Sequence, residues 1–356
     1  MREEKDQVTI HGLVCPRPLA HDDIVVLGHG SGGKMTQDLI TRTFYPPLEN
    51  PTLLRGDDAA IVELPKSGRL AISTDAHIVA PLFYPGGDIG RLAVAGTVND
   101  LAVMGAKPLW LTASFILEEG LPIFILEKVL ESMKAATHEA GVIIIAGDTK
   151  VAERGKADGI FITTSGVGVI PAGRDVGGAK AEPGDSVLLS GPVGEHGIAV
   201  LAARGELEFE ADVASDVAPL NGLIETMFKA CPSIHVLRDP TRGGVATTLN
   251  EIARQSNVSI QVDENNIPVT PPVMAACEML GFDPFYVANE GKVVAIVPAE
   301  YTEAVLESMR AHPLGEHAVR IGSVTDEPAG RVLMKTTIGG TRVVDVLAGE
   351  MLPRIC

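Results

Sequence analysis

The residues of this chain best suited to chemistry are aspartates in short glycine- or hydroxyl-rich settings. They occur as Gly56-Asp57-Asp58-Ala, Ser73-Thr74-Asp75, Asn99-Asp100 and Gly147-Asp148-Thr149. Any one of these is an ordinary turn former. Four together suggest convergence. Carboxylates brought within about 4 Å of one another repel by about 4 kcal/mol per pair at an effective dielectric near 20, so a convergent set calls for cations. Magnesium with a polyphosphate meets that need, because it keeps several waters and binds through a few carboxylates plus phosphate oxygens. Two further motifs fit an anionic guest and a third suits a base. Gly28-His-Gly-Ser-Gly-Gly33-Lys34-Met35 follows an apolar run and opens a helical one, as a phosphate loop does, although Met35 lacks the hydroxyl of the Walker pattern. The same residues also suit a plain tight turn. Arg238-Asp-Pro-Thr-Arg-Gly-Gly-Val245 sets two arginines and Asp239 before a helix start, where backbone N–H groups point at an anion or an N-cap forms. Ala288-Asn-Glu-Gly-Lys292 places Glu290 at the entry to an apolar strand, where burial raises a carboxyl toward a useful base.

The last residue, Cys356, is the remaining chemical group. With four cysteines in 356 residues, chance puts one at the end about once in ninety chains. A thiol on a free end is already a fair acyl acceptor at neutral pH. About sixteen unpacked residues would carry it roughly 50 Å. The other cysteines, at 15, 231 and 277, show no metal or redox spacing. Cys231 and Cys277 sit in apolar stretches and read as core residues.

The elements that must position these groups alternate β-branched runs with helical ones, which predicts α/β layering. Strands are expected at 24–27, 59–64, 70–74, 109–117, 142–146 and 160–169, with helices at 90–104 and 123–140, the second stopped by Gly141. A connection at 171–185 leads to a second α/β unit. Its expected strands are 186–190, 259–262, 292–297 and 319–325, and its helices 196–204, 243–255 and 300–309. The resulting division is an N-terminal extension at 1–23, an ATP-binding α/β domain at 24–170, a C-terminal α/β domain at 186–336 and a mobile tail at 337–356.

Composition narrows the function. At 46% hydrophobic content the chain can fill two cores. Its formal charge of -17 argues against a nucleic-acid partner. No apolar run approaches the roughly 20 residues of a membrane span, and none near the start suits a secretory signal. The expected location is the cytoplasm.

The ordered set Gly-Ser-Gly-Gly, Gly-Asp-Asp-Ala-Ala, Ser-Thr-Asp, Asn-Asp-Leu-Ala-Val-Met-Gly-Ala, Gly-Asp-Thr-Lys-Val, Asp-Pro-Thr-Arg-Gly-Gly, Ala-Asn-Glu-Gly-Lys and terminal Pro-Arg-Ile-Cys resembles the HypE family of [NiFe] hydrogenase maturation proteins, the carbamoyl dehydratases. The aspartate motifs are shared with a wider superfamily that includes aminoimidazole ribonucleotide synthetase, selenophosphate synthetase and thiamine monophosphate kinase. Pro353-Arg354-Ile355-Cys356 with Gly147-Asp-Thr-Lys-Val151 points to the narrower family. The resemblance implies an aminoimidazole ribonucleotide synthetase-like two-domain fold whose N-terminal sheets pair into a dimeric barrel. It implies that HypF loads a carbamoyl group on Cys356, that the thiocarboxamide is dehydrated with ATP and Mg2+ to a thiocyanate, and that the cyanide passes to a HypC–HypD complex. By the same resemblance Asp58, Asp75, Asp100, Asp148 and Asp239 hold magnesium and ATP, with Lys34, Asp57, Thr74 and Asn99 beside the nucleotide. Lys150 and Glu290 then flank the thiocarboxamide, the first neutralising charge and the second taking a proton. A superfamily kinase or synthetase of the selenophosphate type and a noncatalytic thiol carrier are the alternatives. The terminal cysteine disfavours the first, and the aspartate series disfavours the second.

Overall fold

A computed structural model of the chain describes residues 23–26, 29, 38–51, 54, 69–205, 212–346, 352, 355 and 356. Strand β1 (Arg69–His77) leads through a two-residue hairpin, β2 (Phe83–Tyr84) and β3 (Gly87–Asp88), into helix α1 (Ile89–Val103). Asp88 caps α1 by accepting from the backbone N–H groups of Gly90 and Arg91, satisfying donors that a helix start leaves open. Strand β4 (Lys107–Glu118), helix α2 (Ile123–Ala140), strand β5 (Ile143–Ala152) and strand β6 (Ile160–Ile170) complete the first unit. The sheet order is β1-β6-β4-β5, antiparallel except for the β4–β5 pair, whose crossover is α2.

This sheet is asymmetric. Leu111, Ala113, Phe115, Leu117, Ile160 and Ile162 are buried beneath α1 and α2. On the opposite face Leu70, Ile72, Ile116 and Ile143 are exposed, Ile72 by 72%. Helix α1 is apolar and buried nearly all round, as befits a helix between two layers. It packs on β1 and β6 on one side and on helix α4 (Asn221–Ala230) of the second unit on the other.

The second unit contains β7 (Ser186–Leu189), α3 (Glu195–Ala203), α4, β8 (Val236–Arg238), α5 (Gly244–Ser256), β9 (Ser259–Asp263), α6 (Pro271–Leu280), β10 (Val294–Val297), α7 (Thr302–Arg310), β11 (Val319–Thr325), β12 (Arg331–Lys335) and β13 (Thr341–Val344). Its sheet runs β13-β12-β9-β11-β7-β10-β8. β7 and β10 are buried along their whole length, which is why they read as continuous apolar runs. One apolar cluster joins the two units and the chain's end: Leu126 and Met133 of α2, Ile198 of α3, Val287, Leu352 and Ile355 belong to it.

The structure corrects three expectations. Asp75 and Asp148 lie inside strands β1 and β5 and not just beyond the expected strand ends at 74 and 146, while Asp100 lies in α1 within the expected helix 90–104. β5 runs on past Ala146 because Gly147 can approach β4 closely, where a Cβ would lie 2.8 Å from the carbonyl oxygen of Ala113. The sheet also continues beyond residue 337. A turn closed by Thr336 and Gly340 returns the chain as β13, paired with β12, so the tail begins after Val344 and not at 337. Of the expected strand at 24–27, Ile24 makes only an isolated bridge to Pro122, while 59–64 lies outside the described residues.

Candidate active site

Four carboxyl groups, Asp75, Asp100, Asp239 and Glu290, lie close enough between the two units to act on one another electrostatically. β1 presents Ser73 and Asp75 on its helix-facing side, and the Ser73 hydroxyl donates to Asp100 Oδ2 of α1 at 2.6 Å. Asp239 follows β8, and Glu290 lies in the turn before β10. Burial raises the Asp100 carboxyl against the pull of the Ser73 hydrogen bond. Burial, then the charges of Asp100 and Asp75, push Asp239 up to about 7. Glu290 is raised well above its ordinary value, first by burial and then by Asp239, Asp216 and Asp75. Glu290 Oε1 is buried without a hydrogen-bond partner among the described residues. Such a group is costly unless the ligand that completes the site satisfies it. No three of the described His, Cys, Asp and Glu side chains converge at metal-ligand spacing.

The main chain at Glu290 is clamped. Its N–H donates to Asp216 Oδ1 at 3.0 Å and the N–H of Gly291 to Asp216 Oδ2 at 3.2 Å. Its carbonyl accepts from the N–H of Ala218 at 3.3 Å and from Asn99 Nδ2 at 3.4 Å. Asn99 Nδ2 also donates to the carbonyl of Ala218, and its Oδ1 accepts from the N–H of Leu220. The Asn99 amide, expected beside a nucleotide, is thus engaged with the backbone of the second unit. Gly291 admits no side chain, since a Cβ would lie 1.7 Å from the carbonyl oxygen of Asp216. Lys292 Nζ reaches Glu195 at 3.0 Å and Asp216 at 3.2 Å. Burial works against the Lys292 charge, but Asp216 and Glu195 outweigh it and raise its pKa.

The last residues enter this chamber. Leu352 and Ile355 are buried. His196 Nε2 lies 2.6 Å from the carbonyl oxygen of Ile355. Arg242 donates from Nε to Cys356 Sγ at 2.9 Å and from Nη2 to the Cys356 backbone oxygen at 3.3 Å. Arg242 is delivered by the glycine turn before α5, where Gly243 and Gly244 have φ of 76° and 60°. Burial and then Glu290 push the Cys356 thiol up to about 12, although Arg242 pulls the other way. A seated thiol is therefore neutral.

The remaining expected residues lie elsewhere. Asp148 and Lys150 project from the open face of the first sheet, where Lys150 Nζ is 2.9 Å from both Asp148 oxygens. The Lys150 hydrogen bond holds the Asp148 carboxyl below its ordinary value. Thr74 is on the same open face, its Oγ1 2.8 Å from Ser165 Oγ. β1 and β5 are opposite edges of the sheet, three strand spacings or about 14 Å apart. Asp75 and Asp148 of one chain thus stand at different edges and on different faces. Lys34, Asp57 and Asp58 lie outside the described residues. Sequence reasoning missed His196 and Asp216, which carry no motif, named Lys292 without its ion pairs to Glu195 and Asp216, and did not connect Arg242 to the terminal thiol.

The carboxyl crowding has a measurable consequence. Between the ordinary carboxylate pKa and about 7, folded chains hold a proton at Asp239 that unfolded chains release. Stability contributed by this group is therefore present at low pH and lost as pH rises through that window. Glu290 acts in the same direction. In thermal melts without nucleotide, Asp239→Asn is expected to lose less stability than the parent between about pH 5 and about pH 8. Parallel pH profiles would contradict the crowding.

Two family models match the chain: AIR synthase related protein, N-terminal domain, over residues 56–170, and AIR synthase related protein, C-terminal domain, over residues 182–335. The chain is 56% identical over 330 residues to the carbamoyl dehydratase HypE of Cupriavidus necator, covering 93% of this chain and 94% of that one. A crystal structure of the hydrogenase maturation protein HypE in complex with ATP superimposes with a TM-score of 0.89 at 50% identity, covering 93% of this chain and 99% of that one. A HypE–HypF complex matches with a TM-score of 0.76 at 48% identity, over 88% of this chain and 100% of that one.

Proposed function

The chain belongs to the HypE family of carbamoyl dehydratases, and we propose on that premise that it uses ATP to dehydrate a thiocarboxamide on its own Cys356 to a thiocyanate, the source of the cyanide ligand of [NiFe] hydrogenase iron. The observation that carries this reading is the seated tail, with Cys356 held by Arg242 in the chamber of Glu290.

The acidic group suits a magnesium nucleotide whose cation is held largely through waters and phosphate oxygens, since no three of the described carboxylates converge at ligand spacing. Asp75, Asp100 and Asp239 form a group in which Asp100 and Asp75 raise the pKa of Asp239 against the opposing pull of Arg238, and a divalent cation with phosphate oxygens relieves that crowding. ATP supplies the phosphoryl group that turns the amide oxygen, a poor leaving group, into a good one. Transfer of the γ-phosphoryl group to that oxygen releases ADP, gives one of the two N–H protons to solvent and leaves a C=N–H group on the sulfur. As the C–O bond to phosphate breaks and C≡N forms, Glu290 takes the remaining N–H proton on its otherwise unpartnered carboxyl. Arg242 fixes the sulfur, and the Asp216 and Asn99 clamp fixes the backbone of the base.

Asp148, Lys150 and Thr74 enter through a homodimer in this reading. The exposed Leu70, Ile72, Ile116 and Ile143 make the open face a surface for a second sheet. Pairing of β1 with a partner's β5 would close a barrel and bring Lys150 toward a neighbouring chamber. Lys34, Asp57 and Asp58 complete the nucleotide contacts. HypF is the carbamoyl donor and a HypC–HypD complex the cyanide acceptor, in the cytoplasm. None of the described helices is long and apolar enough to cross a membrane.

Intact-mass analysis of the C-terminal peptide after incubation with HypF, carbamoyl phosphate and ATP tests the reading. Gain of one carbamoyl group on Cys356, then ATP-dependent loss of one water, is expected, with neither in Cys356→Ala. No adduct, with ATP consumed only when a free small molecule is added, would favour a kinase.

A further inference from the structure

The first turn of helix α3 holds a histidine, His196, that the dehydration chemistry does not use. His196 is fully buried. Its Nε2 is 2.6 Å from the carbonyl oxygen of Ile355 and its Nδ1 is 2.8 Å from Ser215 Oγ. A carbonyl only accepts, so Nε2 carries the ring proton and Nδ1 receives the Ser215 hydroxyl. Ser215 Oγ in turn accepts the N–H of Val217, which fixes its direction. Tyr84 stacks edge-on against the ring at 5.5 Å. Orientation and tautomer are thus set from behind, and the single donor left faces the tail.

The surface around this donor is shaped to the tail. At Gly197, the next residue, a Cβ would come within 3.2 Å of Leu352 Cδ1 and 2.5 Å of Val287 Cγ1. The absence of a side chain there makes room for Leu352. The same turn is tied to the strand-entry loop that carries Glu290: the N–H of Gly194 donates to Asn289 Oδ1 at 2.8 Å, and the N–H of Gly197 to the carbonyl of Ala288 at 3.1 Å. His196 and Glu290 therefore belong to one hydrogen-bonded frame.

We infer that His196 is a positioning residue that recognises the last peptide carbonyl of the seated tail and thereby sets the distance between the sulfur of Cys356 and Glu290. His196 reads backbone while the apolar groove reads Leu352 and Ile355, so the pair selects a tail of this length and register. The inference rests in part on the dehydration reading, because only that reaction requires the sulfur to be placed against the base. Seating itself does not depend on it.

The test has two arms on the full chain. In the first, iodoacetamide labelling of Cys356 is followed on the C-terminal peptide by mass spectrometry. One lost hydrogen bond is expected to make His196→Ala label roughly five- to tenfold faster than the parent. His196→Gln, whose amide nitrogen can occupy the Nε2 position, is expected to restore slow labelling. A folded His196→Ala that labels at the parent rate overturns the proposal. In the second arm, carbamoyl-loaded chains are given ATP. His196→Ala is expected to load normally but lose water more slowly, with His196→Gln between; equal rates in all three overturn the positioning role. If no variant loads, the dehydration reading fails while the labelling order still judges the seat. Because a buried histidine can be needed for folding, a tail-side measurement stands beside these. Deleting residues 352–356 is expected to expose the His196 ring N–H to rapid solvent exchange in 15N-histidine spectra. An unchanged, protected resonance would refute the contact.

Discussion

Replacing Glu290 by glutamine is expected to slow water loss from carbamoylated Cys356 by about 10²- to 10⁴-fold, the usual contribution of a placed general base, while leaving carbamoyl loading intact. Glutamine keeps the size of the side chain and the backbone clamp of Asp216, Ala218 and Asn99 but cannot take a proton. The measurement is a quenched time course of the C-terminal peptide mass after ATP is added. Burial and the neighbouring carboxylates raise the Glu290 pKa. Base catalysis requires the ionised form, so the parent rate should climb with pH through that raised pKa, and the glutamine variant should lose this climb. Magnesium in the chamber would favour ionisation and shift the rise to lower pH. A glutamine variant with the parent's rate and pH profile would remove Glu290 from the chemistry.

The largest stability effect is expected at Lys292. Its ammonium lies between Glu195 and Asp216 and is largely buried with them. Lys292→Met leaves Asp216 without its counter-charge while that carboxylate still holds the N–H groups of Glu290 and Gly291. Breaking one partner of a buried pair costs about 3–5 kcal/mol, and urea unfolding of the nucleotide-free chain reads this directly. Adding Asp216→Asn to Lys292→Met should recover part of the loss, since the amide oxygen still accepts a hydrogen bond without a buried charge. A cost below about 1 kcal/mol, the range of exposed pairs, would mean that the cluster is solvated.

Much of the architecture was legible from local pattern. Helix α2 was bounded correctly because its apolar spacing ends at Gly141, which takes the left-handed conformation at φ 68°. β11 was bounded correctly by its run of branched residues. Segments stabilised by partners distant in sequence were harder to read. β12 and β13 are short and half exposed and hold together through pairing with β9 and with each other. β8 has three residues and exists because β10 lies beside it. The chemical residues divide in the same way. Asp75, Asp100, Asp239, Glu290 and Cys356 were marked by neighbours in the sequence, and the fold brings them to one chamber. The pleat of the sheet separates Asp148, Lys150 and Thr74 from that chamber, because side chains of successive strand residues point to opposite faces. His196 and Asp216 became visible only when folding brought a tail carbonyl and a backbone turn to them.

The return of the chain as β13 also fixes the leash on the reactive group. With Val344 anchored in the sheet, twelve residues remain to Cys356, a reach of about 40 Å at full extension. A segment of that length confines the sulfur to a sphere of that radius around Val344. A carbamoyl donor or cyanide acceptor bound to the body of the protein within that radius meets the sulfur by an intramolecular search. One docked farther away must first pull β13 from the sheet, so the hydrogen bonds of that edge strand set the outer limit of where partners can bind.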